Sequence, residues 1–90
     1  MEYAVGDTVT WESQSQGSFK EKTGKVLAII LPEEDLYKPV PEGIAKTRIK
    51  GQRFSSIARA LVEVPREALR FGSDYYAPHV NMPRRVLTQR

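Results

Sequence analysis

Thr23 to Leu31 is the stretch that most limits what this chain can fold into. It reads Thr-Gly-Lys-Val-Leu-Ala-Ile-Ile-Leu, places β-branched and aliphatic residues on both faces, and stops at Pro32. A run this short, and apolar on both sides, predicts a strand covered on both faces of its sheet. Its uncharged part, Val26 to Leu31, falls far short of the roughly 20 apolar residues that span a bilayer. Gly24 predicts a bulge or a close approach of another backbone where the sheet bends. The chain has 90 residues with which to supply the cover. That length suits one core and one domain, residues 1–90, rather than two.

The core has no covalent help. There is no Cys, which excludes disulfides and thiolate metal sites and leaves packing alone. An apolar content of 40% beside 28% charged residues suits a folded domain. Met1-Glu2-Tyr3 has no basic stretch leading into an apolar one, so the expected location is cytoplasmic, with no secretory signal.

The remaining elements follow from period and punctuation. Val9 and Trp11 alternate with Thr8, Thr10 and Glu12 behind a Gly6-Asp7 turn signal, which predicts a first strand. Gln14 to Lys22 is polar around Gly17 and reads as a hairpin-like loop. Ala58, Ala60, Val62 and Val64 alternate with Ile57, Arg59, Leu61 and Glu63. Val62, Val64 and the stop at Pro65 favour a strand there over the rival helix. Pro65 to Ser73 is a connection with a helical turn around Glu67-Ala68-Leu69. Asp74 to Val80 predicts a short aromatic strand, limited by Pro78 to an edge or its own end. Asn81-Met82-Pro83 predicts a turn, and Arg85 to Thr88 a last strand. Between Pro32 and Phe54 lies a long loop with Pro32, Pro39, Pro41, Gly43 and Gly51, with a short extra strand at Thr47-Arg48-Ile49. Five short strands make an all-β barrel or sandwich.

The order Val5-Gly6-Asp7, Val9, Trp11, Gly17, Gly24, Val26, then Leu61 to Val64, then Tyr76-x-Pro78-x-Val80 resembles small SH3-like barrels of the bacterial and phage Tudor-like group. The likeness covers both ends of the chain but not 32–54. It implies a strongly bent five-stranded barrel with one long inserted loop. Val9, Val26, Val62 and Val80 would contribute to its core, and Trp11 would be partly exposed near the loop end where such domains often bind ligands. Trp11 and Tyr76 also resemble the positions of an aromatic cage for a methylated ammonium, although core packing is the commoner use of such a pair.

Charge is unevenly placed. Up to Glu42 there are four lysines against eight acids, and from Gly43 onward ten basic residues against three acids. That asymmetry points to an anionic partner. Lys46, Arg48, Lys50, Arg53 and Arg59 occur with no acid among them, and Arg84, Arg85 and Arg90 follow near the C-terminus. Phosphate contacts by Lys46, Arg48, Lys50, Arg53, Arg84 and Arg85, with base stacking on Trp11, Phe54, Tyr75 and Tyr76, would make a nucleic-acid surface. The plainer reading is that the charges solvate the surface and the aromatics fill the core. In the long loop Leu36, Tyr37, Val40 and Ile44 are either anchors for a protein partner or a homodimer, or a cover folded over an open barrel end.

Catalysis has little support. His79 is the single histidine, so a Cys-His pair is excluded, and a Ser-His-Asp triad would lack a nucleophile elbow. Glu33-Glu34-Asp35 lacks the ligand spacing of a metal site. Plasmid-borne trimethoprim-resistant dihydrofolate reductases resemble the chain at Gly6-Asp7-x-Val9. Their Val-Gln-Ile-Tyr pore strand is replaced here by Ser73-Asp74-Tyr75-Tyr76. The expectation is a non-catalytic binding module with no cofactor and no metal. Nucleic acid leads as its partner, and a protein partner, with the chain as adaptor or inhibitor encoded by a phage or mobile element, is the alternative.

Overall fold

A computed structural model gives the architecture of residues 2–15, 17–66 and 72–86. Its strands are β1 (Thr8–Ser15), β2 (Ser18–Ile30), β3 (Ile49–Lys50), β4 (Arg59–Pro65), β5 (Ser73–Tyr76) and β6 (Arg84–Arg85). They form one six-stranded sheet in the order β3-β5-β4-β2-β1-β6. Every pairing is antiparallel except that of β3 with β5. The all-β expectation holds, and the expected five strands become six because the long loop contributes β3. A short 3-10 helix, Lys46–Arg48, leads into it where Thr47-Arg48-Ile49 predicts a strand. The expected helical turn at Glu67-Ala68-Leu69 and the end of the last strand at Leu87-Thr88 lie outside the described residues, as does Arg90. No helix among the described residues is long and apolar enough to cross a membrane.

β2 is the 13-residue strand around which the sheet is arranged. Its first part pairs with β1, from Ser18 opposite Ser15 to Lys25 opposite Thr8. Its second part pairs with β4, from Lys25 opposite Glu63 to Ile30 opposite Arg59. The strand therefore changes neighbours at Lys25, and two devices permit the bend. Gly24 lies so close to β4 that a Cβ there would overlap the Glu63 carbonyl oxygen and sit 2.8 Å from a Val62 methyl. A bulge between Val26 and Ala28 then advances the register by one residue. In consequence Val26 and Ile29 belong to one core, while Leu27, Ala28 and Ile30 belong to the other.

Polar Gln14 to Lys22, expected as a loop, is instead strand nearly throughout. β1 runs to Ser15 and β2 starts at Ser18, with Gly17 at φ 80° in the tight connection. Alternation of Lys20 and Lys22 with Glu21 and Thr23 is a period of two carried by polar residues, and the one apolar residue beside them, Phe19, is exposed. No apolar set marks it, because this arm reaches past the core and most of β2's first residues are exposed.

Two cores lie on opposite faces. Tyr3, Val9, Trp11, Val26, Ala60 and Val62 form the inner one, with Ile29, Val64, Tyr76 and Val80 packed against it. The four valines expected in the core are thus all found there, Val80 at its margin. Ile30, Leu36, Leu61 and Tyr75 form the outer one, and Tyr37, Val40, Ile44 and Ile49 close over it. Long loop 32–54 is therefore the second layer of the molecule. Leu36, Leu61, Val9, Val26 and Val62 are the largest side chains wholly removed from water, a burial that stabilises by about 1.5–3 kcal/mol each.

Arg59 ties the layers together. It is buried on β4 (4% exposed), and its guanidinium donates to the carbonyls of Gln52 and Arg53. Burial lowers its pKa from the ordinary arginine value, yet among the described residues no carboxylate pairs with it.

Two substitutions test this arrangement. Gly24→Val should cost about 1–3 kcal/mol or more by overpacking against β4. Leu36→Ala should cost about 2–5 kcal/mol, a value out of reach if the loop were merely draped on the surface. Urea unfolding followed by circular dichroism measures both, and a Leu36→Ala protein as stable as the parent would sink the second-layer description.

Candidate nucleic-acid interface

The predicted basic residues are split by the fold. Lys46, Arg48 and Lys50 lie at the β3 edge of the sheet, while Arg84 and Arg85 form β6 at the other edge. In a flat sheet, five strand spacings of about 4.8 Å would separate those edges. The sheet is not flat. A cavity of about 230 Å³ is lined jointly by Lys50 of β3, Tyr76 of β5, Trp11 and Glu12 of β1, and Met82 from the turn before β6. Only a sheet coiled on itself brings β3 and β1 to one cavity when three strands stand between them in order.

The wall of this cavity is built by register. Trp11 stands opposite Lys22 in the β1–β2 ladder, so the two share a face, and Ser13 opposite Lys20 continues it one step toward the hairpin tip. The Trp11 and Tyr76 rings meet edge to face with centroids 6.0 Å apart. Lys22 Nζ lies 5.0 Å from the Tyr76 ring centre, a cation–π contact worth about 0.5–1 kcal/mol at an open site. Two cations, Lys22 and Lys50, thus adjoin an aromatic pair, with Lys20 one step farther toward the hairpin tip and Glu12 the one carboxylate in the lining.

Each of the other predicted residues has a definite place. Trp11 is only 4% exposed, so the partial exposure expected of it is corrected. Its ring completes the inner core and reaches the cavity by its margin. Tyr75 is buried in the outer core, and its hydroxyl donates to Glu63 Oε2 at 2.9 Å. Burial, then that hydrogen bond, raises its pKa above the ordinary phenol value. Phe54 is exposed, with the Arg53 guanidinium 5.4 Å from its ring centre. Arg53 also lies 5.3 Å from the Tyr37 ring. Arg48 is half-buried, and a Cβ on Gly72 would come within 2.6 Å of its Nη1. Lys46, Arg84 and Arg85 are exposed. Arg84 lines a separate cavity of about 380 Å³ together with Glu2 and Tyr3.

Arg53 is committed elsewhere. Its Nε donates to Asp35 Oδ1 at 3.0 Å and its Nη2 to Oδ2 at 2.9 Å, a two-pronged pair across the long loop. Leu36, a predicted interface anchor, is fully buried, and Tyr37, Val40 and Ile44 pack half-buried beneath the same layer. Of the two roles open to these four residues, covering the sheet is the one their burial serves.

Lys20 and Lys22 were not legible as site residues because their segment reads as a loop. The signal that would have found them is the polar alternation on either side of Gln16-Gly17, a hairpin pattern with the turn residue in place. No family model, curated protein or solved structure matches the chain.

The Asp35–Arg53 pair has a pH signature. Hydrogen bonding from Arg53 is the main cause that holds the Asp35 carboxyl below the usual carboxylate value. A depressed folded pKa contributes stability that is present above the unfolded value of about 4 and is lost as pH falls through the folded one. The melting temperature of the parent should therefore drop more between about pH 5 and pH 2 than that of Asp35→Asn, which has no charge there to lose. Parallel curves for the two proteins would show that the pair adds nothing. The effect is small because both groups face solvent.

Proposed function

We propose that this chain is a small non-catalytic binding module, an SH3-like barrel of the Tudor-like kind, that holds a single nucleic-acid strand across the β1–β2 arm and β3. The observation that carries this reading is the meeting of Lys50 with Trp11 and Tyr76 at one cavity, with the Lys22 ammonium on the Tyr76 ring. Cations that neutralise phosphates, interleaved with ring faces and edges that accept bases, are the two components of single-strand binding. The barrel assignment draws on the coiled sheet, the bent β2 and the inner core of Val9, Val26 and Val62.

On this reading the working cations are Lys20, Lys22 and Lys50, with Lys46 and Arg48 extending the track along β3. Arg53 takes no part, because a carboxylate already holds it. Arg84 and Arg85 supply a more distant positive margin beside β1. Bound phosphates release condensed counterions, so affinity should depend steeply on salt and little on sequence. Lys22 is already placed on the face of Tyr76, and a strand entering the cavity would exchange that contact for a base on the ring and a phosphate on the ammonium.

The test is fluorescence anisotropy with labelled oligo-dT and oligo-U from about 50 to 200 mM salt. Binding should weaken strongly over that range. Lys22→Ala and Lys50→Ala should each lower the log–log salt slope by about 0.7, while Arg53→Ala should leave the slope unchanged. Tyr76→Ala should cost about 1–3 kcal/mol of affinity with little change in slope. Absence of salt-sensitive binding at micromolar protein, or slopes indifferent to both lysines, would overturn the reading.

A further inference from the structure

The ladder between β1 and β6 stops one step short of the aromatic cavity. Two hydrogen bonds fix which way the backbone of β1 turns. The Val26 amide of β2 donates to the Asp7 carbonyl at 2.9 Å, and the Val86 amide donates to the Thr8 carbonyl at 2.8 Å. Peptide groups alternate between the two sides of a strand with a period of two. Odd-numbered residues from Asp7 to Ser13 therefore turn their N–H and C=O toward β2, and even-numbered ones toward β6.

Glu12 thus presents its peptide groups on the β6 side. The register that pairs Val9 with Arg85 and Thr10 with Arg84 would set Met82 opposite Glu12. That pair is not made. The Met82 amide donates instead to the His79 carbonyl at 2.9 Å, and Pro83 beside it has no amide to give. Among the described residues nothing occupies the Glu12 N–H and C=O on this side. Glu12 and Met82 both line the cavity of about 230 Å³ that holds Tyr76 and Lys50. Trp11 and Ser13 line it too. Successive side chains point to opposite faces, so three consecutive lining residues place the cavity along the edge of β1, where its peptide groups lie.

We infer that the open Glu12 peptide group hydrogen-bonds the base-pairing edge of one unpaired base held beside Trp11 and Tyr76, an inference that rests on the single-strand reading and deepens it. Each base carries on that edge an N–H donor next to an acceptor. An N–H and a C=O on one side of a strand complement such a pair, as they complement a neighbouring strand. Recognition of this kind tolerates any base and excludes a duplex, whose base-pairing edges are already used. An extended peptide is the other class of ligand that a strand edge accepts. The surroundings favour the base. The Trp11 and Tyr76 rings, 6.0 Å apart, offer a stacking surface. Lys50 in the lining and Lys22 Nζ, 5.0 Å from the Tyr76 ring centre, outnumber the Glu12 carboxylate and suit flanking phosphates. The volume falls below the roughly 300–1,000 Å³ of pockets for drug-sized ligands, which suits a single ring system.

Fluorescence anisotropy with labelled oligo-U and its N3-methyluridine counterpart tests the inference. Methylation keeps the phosphates and the ring face and removes the donor that the Glu12 carbonyl accepts. Binding should weaken about tenfold, the effect of losing one hydrogen bond and leaving its carbonyl unpaired, with the salt slope unchanged. Equal, salt-sensitive binding of both strands would overturn this inference and leave the single-strand reading standing. Absence of salt-sensitive binding by either strand would overturn both. Amide hydrogen exchange of the ¹⁵N-labelled full chain reads the same group directly. In the free protein the Glu12 amide should exchange faster than those of Trp11 and Ser13, which belong to the β2 ladder, and saturating oligo-U should slow it. A Glu12 amide as protected as its neighbours without ligand, or one that oligo-U leaves unchanged, overturns the proposal. So does protection by the neutral peptide acetyl-Thr-Val-Thr-Val-amide at about 1 mM with none from oligo-U, which would assign the edge to an added strand.

Discussion

Everything in this molecule depends on one strand serving two neighbours. β2 leaves β1 and joins β4 at Lys25, and it can do so because Gly24 has no side chain where β4 crosses and because a bulge follows at once. The absent Cβ lets two backbones approach to a distance that any other residue would forbid. The bulge then rephases the alternation, so that Ile29 faces inward and Leu27 with Ala28 outward. Coiling of the sheet, the enclosure of the inner core and the open edge past Lys25 are three results of that single transfer.

The outer face is a second problem with a different solution. A sheet whose central strands are apolar on both sides needs a second layer, and among the described residues there is no further sheet or long helix to supply it. Loop 32–54 fills the place, with Leu36 as the plug and Tyr37, Val40, Ile44 and Ile49 around it. Irregular backbone is held in position by polar ties. Arg59 collects two loop carbonyls from within, and Arg53 grips Asp35 from outside. Carbonyl dipoles, and not a carboxylate, therefore face a buried guanidinium, which is consistent with its lowered pKa.

Charge is distributed by the same geometry. Lys22 belongs to the acidic first half of the chain, yet the fold sets it over the ring of Tyr76, whose strand partner is Lys50 from the basic second half. Glu34 remains on the loop side, where its Oε1 accepts from the Leu31 amide at the end of β2. The asymmetry along the sequence is thus partly undone by the fold, which brings a lysine of the acidic half to an aromatic pair that a lysine of the basic half also adjoins.

Much of the framework was legible in the residues. Double-sided hydrophobicity located β2, alternation located β1 and β4, Gly24 announced the close approach, and Gly6-Asp7 announced the turn, where Gly6 indeed adopts φ 96°. These are local properties, set by side-chain period and by the few residues that tolerate unusual backbone. What only the tertiary structure decided is which distant elements meet. Thr23 to Leu31 by itself identified a strand with two apolar faces, but not that its halves pair with different strands. Nor did it show that a Pro-rich loop covers one face, that Trp11 is buried, or that Lys22 rather than Arg53 stands at the aromatic pair. Those outcomes depend on register and coiling, which arise from packing between residues far apart in the chain and leave no periodic trace within any one segment.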